Sequence, residues 1–452
     1  MGTVGAMKAN QSATFLLLSV LPAAVACGTA TASEGFPDPT DADGGSRSDA
    51  ASGTPATGSS GTQSNGAPDA SDDVTEAGTG GGSGDDTSAA STGGGASGAS
   101  TGGTGTNSTG TGGTGTSPGS NQALHVEGNK FVYQGKPTRL LGVNHSGTEY
   151  TCLSSGIFEG PDADDVATGI LSWGNINAVR IPLNEDCWLG INGINAQYAG
   201  TNYQSAILAY VAKLHAHGLF TIVDLHWNAP GSFQAKNQQP MADADHSVDF
   251  WKSVAGAFKS DAMTVFDLYN EPYIDTTVAQ TSDPWDCWLN GCTITQGRSG
   301  VTGNWQSAGM QTLLDAVRST GATNVVMAGG LNFADDLTSW LTHVPNDPQK
   351  QVVAALHAYS GGPCAVSSCW TGVLEPIAAQ YPIVTGELGE YDCGHSFIDS
   401  FFAWADTAGV SYVPWTWNTW DCGSGPALIS DYSGTATGFG EGYEMHMMTT
   451  KP

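Results

Sequence analysis

Residues Thr264–Pro272 read TVFDLYNEP. Thr264–Leu268 is a largely apolar run without strict alternation, which predicts a strand covered on both faces. The run then breaks into Asn270-Glu271-Pro272. An apolar strand ending in an amide and a carboxylate is a strand whose far end opens on a site. The same signature recurs along the chain. Short apolar runs occur at Leu140–Val143, Ala178–Ile181, Phe220–Val223, Asn324–Met327, Val352–Leu356, Ile383–Thr385 and Ser411–Pro414. Amphipathic stretches at Tyr203–His217, Val248–Lys259, Gln306–Ser319 and Phe397–Thr407 separate some of them and predict helices. Eight strands alternating with helices predict an α/β fold, a (β/α)8 TIM barrel.

The barrel accounts for only part of the chain. Between Pro37 and Lys130 there is no Phe, Trp or Tyr, whereas all 13 Trp follow Phe131. Three regions are expected. Residues 1–27 form a targeting signal, with Lys8, the apolar run Phe15–Val20 and then Ala24-Val25-Ala26-Cys27. One reading is a secretory signal cut after Ala26; the other is a lipobox that leaves Cys27 as a lipidated N-terminus. Residues 28–120 are a Gly/Ser/Thr/Asp-rich linker, too poor in apolar surface to offset chain entropy. Residues 121–452 are the catalytic barrel. A net charge of −29 argues against nucleic acid or anionic lipid as partner. Contact with a membrane is expected only through a lipid on Cys27, and the protein is expected to be exported, secreted or held at the cell surface or outer membrane, as a monomer.

In a barrel of this kind the active site gathers at the C-terminal ends of the strands. The groups that fall there are Asn144, His145 and Glu149 after the first strand, Arg180 in the second, and His226 after the third. Asn270 and Glu271 end the fourth, His357 and Tyr359 the sixth, Glu387 the seventh, and Trp415 and Trp417 the eighth. Each alone has a bland explanation: Asn270-Glu271-Pro272 can start a helix, and His226 can be a core histidine. Their recurrence at one end of successive strands is hard to explain by packing. Two Glu on different strands suit glycoside cleavage, where one protonates the leaving oxygen and the other attacks the sugar carbon or activates water. Arg180 and Tyr359 would support Glu387, and His357 would tune Glu271. Asn270 can meet a sugar hydroxyl, and Trp417 offers a flat face to a pyranose ring. Glu149 is expected to bond a terminal sugar hydroxyl.

The segments RLLGVN, NAVRIPL, IVDLHW, FDLYNEP, LHAY, VTGELGE and PWTWNTWDCGSG, in that order, resemble glycoside hydrolase family 5, the cellulase family. The resemblance runs from about Ala123 to the C-terminus. It implies a retaining hydrolase of β-linked glycans without metal or cofactor, with Glu271 as acid/base and Glu387 as nucleophile. It further implies that Arg180 supports the nucleophile, that His226 and Asn270 bind sugar, that His357 and Tyr359 flank the pair, and that Trp417 is the platform. β-1,4-Glucan is the first substrate expected. β-Mannan, xyloglucan or a terminal β-glycoside are alternatives within the fold, and a non-catalytic carbohydrate-binding surface lipoprotein is the alternative of another class.

Nine cysteines are present. With Cys27 set aside, eight remain in the folded part, and an exported chain favours their oxidation. No CxxC pair or His spacing suits zinc. Loops from neighbouring strands lie side by side in a closed barrel. That placement favours Cys393–Cys422 and Cys152–Cys187, leaving Cys287–Cys292 and Cys364–Cys369 as short staples.

Overall fold

Strands apolar on both faces are stable only where helices cover one face and other strands fill the other. The computed structural model describes residues 122–423 and 425–452 and meets that requirement. Its eight parallel strands are β1 (Gly142–Asn144), β2 (Ala178–Asn184), β3 (Phe220–Trp227), β4 (Thr264–Asp267), β5 (Val326–Gly329), β6 (Val352–Tyr359), β7 (Ile383–Gly389) and β8 (Ser411–Tyr412). They lie in sequence order across one sheet. The two ends meet: Leu141 bridges Tyr412 in parallel, and the Asn144 amide donates to the Pro414 carbonyl at 2.9 Å. The sheet is therefore closed into a barrel.

Six helices of ten residues or more follow strands among the described residues: α1 (Ala163–Ser172), α2 (Thr201–Ala216), α3 (Ser247–Phe258), α4 (Met310–Ser319), α5 (Ser396–Ala408) and α6 (Gly438–Met447). After β5 a single 3-10 turn, Trp340–Thr342, takes that place, and after β6 a helix whose middle, Trp370–Leu374, is a π-helix runs over Ser367–Ala378. Strand pleating sends alternate side chains inward. Along β3, Phe220 and Ile222 belong to the inner apolar cluster, with Ala178, Val265, Met327, Val353, Val384 and Val413. Val223 and Leu225 belong to the cluster that packs under the helices. Leu124 and Phe131 join the inner cluster. Phe131 lies in, and Leu124 just before, the N-terminal antiparallel strands His125–Glu127, Lys130–Tyr133 and Lys136–Thr138, which close the bottom of the barrel. Moving up β3, the inward series Phe220, Ile222, Asp224, His226 turns from apolar to ionisable, and this puts the polar layer at the upper end.

Two sequence expectations shift in detail. β2, β3, β6 and β7 run three or four residues beyond their apolar runs, so His226, Tyr359 and Glu387 are held inside regular strands rather than after them. Helix α4 begins at Met310, not Gln306, because Trp305–Gln306 pairs antiparallel with Thr293–Ile294. Gly309 marks the start: a Cβ there would lie 2.2 Å from the Leu289 carbonyl oxygen. The expected signal at 1–27, with Cys27, and the linker at 28–120 lie outside the described residues.

All eight cysteines of the barrel are paired. Cys152–Cys187 joins the loops after β1 and β2, and Cys393–Cys422 those after β7 and β8, while Cys287–Cys292 and Cys364–Cys369 close short loops. The pairings are those expected from strand adjacency. The Cys393–Cys422 bridge spans a sequence separation of 29. Restricting the unfolded chain over that span is worth about 3–4 kcal/mol, against about 2 kcal/mol for a five-residue staple. The double substitution Cys393→Ser/Cys422→Ser is thus expected to lower unfolding free energy by about 3–4 kcal/mol, and Cys287→Ser/Cys292→Ser by less. Urea denaturation of the two variants checks the ranking.

Candidate active site

The polar layer is organised by Arg180, which points from β2 into the barrel and is fully buried. A buried guanidinium needs an acceptor for each donor direction. It finds them on several strands: Asp267 Oδ2 at 3.1 Å, Asn144 Oδ1 at 3.0 Å, Asn270 Oδ1 at 2.8 Å and Glu387 Oε1 at 2.9 Å, with Asp224 Oδ2 at 3.2 Å. Burial pushes the Asp224 and Asp267 carboxyls upward, and the Arg180 charge opposes the shift. Both were missed in the sequence reading. The signal was available, since Asp224 shares strand parity with His226.

Glu387 is held from two sides, by Arg180 and by the Tyr359 hydroxyl, which donates to Oε2 at 2.7 Å. Burial, then the Glu387 charge, push the Tyr359 phenol well up, so it acts as a neutral donor. Glu271 stands opposite, at the end of β4. Its Oε1 lies 3.0 Å from His357 Nδ1, and its Oε2 accepts from Gln238 Nε2 at 2.7 Å. The same His357 nitrogen is 3.6 Å from Glu387 Oε2. Carboxyl oxygens of the two Glu and a ring nitrogen of His357 all lie within 4.8 Å of one another. Burial raises the Glu271 carboxyl above its ordinary range, and the Gln238 hydrogen bond is the largest opposing effect.

The two histidines stay neutral. Burial lowers His357 to about 3 and His226 to about 4. A neutral His357 facing two carboxylates carries its proton on Nδ1. Gly386 makes room for it, since a Cβ there would lie 3.1 Å from His357 Nε2. His226 Nδ1 pairs with Asp224 Oδ2 at 2.8 Å, so its Nε2 is left for the cleft.

Seven of the nine expected residues therefore meet in one place: Arg180, His226, Asn270, Glu271, His357, Tyr359 and Glu387. Trp417 and Glu149 do not. Trp417 is fully buried, with its ring centroid 4.8 Å from that of Trp173, and it is a core residue rather than a sugar platform. The half-buried Trp415 takes the position at the cleft. Its ring is parallel to that of His226 within 14°, at a centroid distance of 5.5 Å. From it a series of aromatic contacts runs through Trp420 and Tyr150 to Trp227. Glu149 turns inward, where Oε2 accepts from the Gly147 amide at 2.7 Å and only 2% of the residue is exposed. Its loop is drawn down by Cys152–Cys187 and by the Asn184 side-chain amide, which donates to the Glu149 carbonyl at 2.8 Å. Burial raises its carboxyl well above the ordinary range, and contact with a sugar end is not open to it.

Gln238 was not anticipated. It comes from the long loop between β3 and α3, and nothing in its sequence neighbourhood marks it. Among the described residues two side-chain groups have the donors for a cation: Glu271, His357 and Glu387, and a second set at Glu185, Asp243 and His246. In the first, Arg180 already supplies positive charge beside Glu387. In the second, the carboxylates are occupied by Ser247 and Asn228.

A family model described as cellulase (glycosyl hydrolase family 5) matches residues 132–422. The mannan endo-1,4-beta-mannosidase of Streptomyces lividans is 22% identical over 306 residues, and the match spans 65% of this chain and 66% of that protein. Among solved structures, a beta-glucanase from Saccharophagus degradans is 20% identical with a TM-score of 0.53, covering 72% of this chain and 93% of its own. A beta-mannanase from Streptomyces thermolilacinus, solved with mannohexaose, is 18% identical with a TM-score of 0.52, covering 73% and 97%. Likeness at that level speaks for the fold.

The two tryptophans are separable. Trp417→Ala is expected to cost about 3–5 kcal/mol of stability through the cavity it leaves. Trp415→Ala is expected to leave the melting temperature nearly unchanged and to weaken binding of a soluble β-glucan or β-mannan oligosaccharide. Thermal denaturation and titration calorimetry on both variants test the assignment.

Proposed function

We propose, since the chain belongs to the cellulase family, glycosyl hydrolase family 5, that it hydrolyses a β-linked glycan by double displacement with retention. The observation that carries this reading is the closeness of Glu271 and Glu387, whose carboxyl oxygens approach within 4.8 Å across His357. Retaining glycosidases place their carboxyls about 5–5.5 Å apart, whereas inverting ones need about 6.5–9.5 Å to admit a water.

Glu387 attacks the anomeric carbon. Arg180 and Tyr359 hold both its oxygens, so the lone pair that attacks is oriented before substrate arrives. Glu271 gives its proton to the glycosidic oxygen as that bond breaks. Its raised proton affinity follows from burial and suits an acid. A water then attacks the glycosyl ester, and Glu271, now ionised, takes the water's proton. Asn270 retains one amide hydrogen beyond its contact with Gln238, enough for a sugar hydroxyl. His226 Nε2 and the Trp415 face supply further polar and stacking contacts.

The backbone we favour is β-1,4-linked glucan. A β-1,4-mannan is the second reading, supported by the name of the Streptomyces lividans relative. We also propose that the protein is exported and works as a monomer, held at the surface by a lipid on Cys27 or released. Four disulfides support the compartment, and a site assembled from one chain supports the monomer.

Glu271→Ala is expected to lose about 10²–10⁴-fold on natural glycans, yet far less on aryl glycosides whose leaving groups depart without protonation. With azide it should give a β-glycosyl azide. Glu387→Ala should lose both activities, and azide should then give the α-glycosyl azide. Product analysis showing the two patterns exchanged would reverse the roles.

A further inference from the structure

Four side chains form a hydrogen-bond chain with only one allowed polarity. Arg180 Nη2 donates to Asn270 Oδ1 at 2.8 Å, Asn270 Nδ2 donates to Gln238 Oε1 at 2.7 Å, and Gln238 Nε2 donates to Glu271 Oε2 at 2.7 Å. A guanidinium can only donate, so Asn270 must present its oxygen to it. The Asn270 amide nitrogen then faces Gln238, which must answer with oxygen, and this leaves the Gln238 nitrogen for the carboxylate. Flipping either amide would set donor against donor or oxygen against oxygen. The chain is dry, with Gln238 at 6% and Asn270 at 3% exposure, so each link is strong and each mismatch costly.

Arg180 thus touches Glu387 directly and reaches Glu271 through two amides. We propose that Gln238 is a positioning residue for proton transfer, the link through which Arg180 holds the Glu271 carboxylate and favours its ionised form. The inference rests on the roles given above to Glu271 and Glu387. It gives the link a purpose in the second half of the reaction. While Glu387 is esterified to sugar it has no charge to balance Arg180. At that stage the aligned N–H groups direct the positive end of the chain at Glu271, which must be ionised to take a proton from water.

Other groups also face Glu271: His357 at 3.0 Å, and Glu387, His226, Arg180 and Arg298, with Asp335, Tyr359 and Tyr391 from neighbouring loops and strands. None is altered by a substitution at Gln238, so a change in titration of Glu271 would report the lost amide. A donor to the ionised form lowers a carboxyl's proton affinity, and its removal raises it.

The test is the pH dependence of two aryl β-cellobiosides with wild type, Gln238→Ala and Gln238→Glu. For phenyl β-cellobioside, whose poor leaving group must be protonated as it departs, the alkaline limb of kcat/KM reports loss of the Glu271 proton. It is expected to move upward by about half to one pH unit in Gln238→Ala. For the 2,4-dinitrophenyl substrate, hydrolysis of the glycosyl-enzyme limits kcat and needs ionised Glu271. Its acid limb is expected to move upward as well, so kcat below that limb falls several-fold. Gln238→Glu keeps the shape and the acceptor for Asn270 but replaces the donor with a like charge. It should shift both limbs further in the same direction, and it carries the test if the alanine variant does not fold. Active variants with a uniform fall in kcat and unmoved limbs would show a merely structural role and overturn the inference alone. A folded wild type that cleaves no β-glycan or aryl β-glycoside would instead overturn the proposed function, and this inference with it.

Discussion

A single buried guanidinium sets the terms for the upper half of the barrel. Removing a charge from water costs several kcal/mol even after relaxation, and only well-placed partners offset it. Arg180 obtains them from Asn144 on β1, Asp224 on β3, Asp267 on β4, Asn270 just beyond β4 and Glu387 on β7. These partners come from both neighbours of β2 and from β4 and β7 across the barrel, so its closure and the coordination of Arg180 are one condition. A barrel opened between β8 and β1 would lose the Asn144 contact, because Asn144 is itself fixed by donating to the Gly386 and Val413 carbonyls at 2.9 and 2.6 Å.

From that centre the two glutamates acquire different characters. Glu387 touches the guanidinium. Glu271 sees it through Asn270 and Gln238, with burial acting against ionisation and the last amide acting for it. Two chemically identical side chains are thereby suited to attack and to proton transfer, with His357 keeping both in one frame. The apolar lower layer contributes by keeping water from beneath Arg180. Leu124 and Phe131 seal it, and the short N-terminal strands around them have no part in the chemistry.

What the sequence disclosed was whatever is written in local pattern. Continuous apolar runs marked strands covered on both faces, and polar residues following them marked the end where the site forms. Strand order placed the cysteine loops side by side. The failures have equally physical causes. Period two would put Trp415 and Trp417 on the same face, but after Tyr412 the regular pairing of β8 stops, and Trp417 leaves that face to pack in the core against Trp173. Glu149 lies in a loop whose path depends on a disulfide and on Asn184, both remote in sequence. Gln238 reaches the site from the loop between β3 and α3, where no periodicity operates. Its role exists only through the three-dimensional meeting of Arg180, Asn270 and Glu271. Asp224 and Asp267 were the recoverable omissions, because inward parity with His226 and the neighbouring Arg180 already pointed to them.

The central claim is that Arg180 and Tyr359 prepare Glu387 to form a bond to sugar across from Glu271. Its most direct measurement uses a 2-deoxy-2-fluoro β-cellobioside with a good leaving group, which forms the glycosyl-enzyme but slows its hydrolysis. Peptide mapping by mass spectrometry then locates the attached sugar. The expected result is one fluorosugar per protein, on Glu387 within VTGELGE. A label on Glu271, or turnover to the inverted anomer with no label, would contradict it.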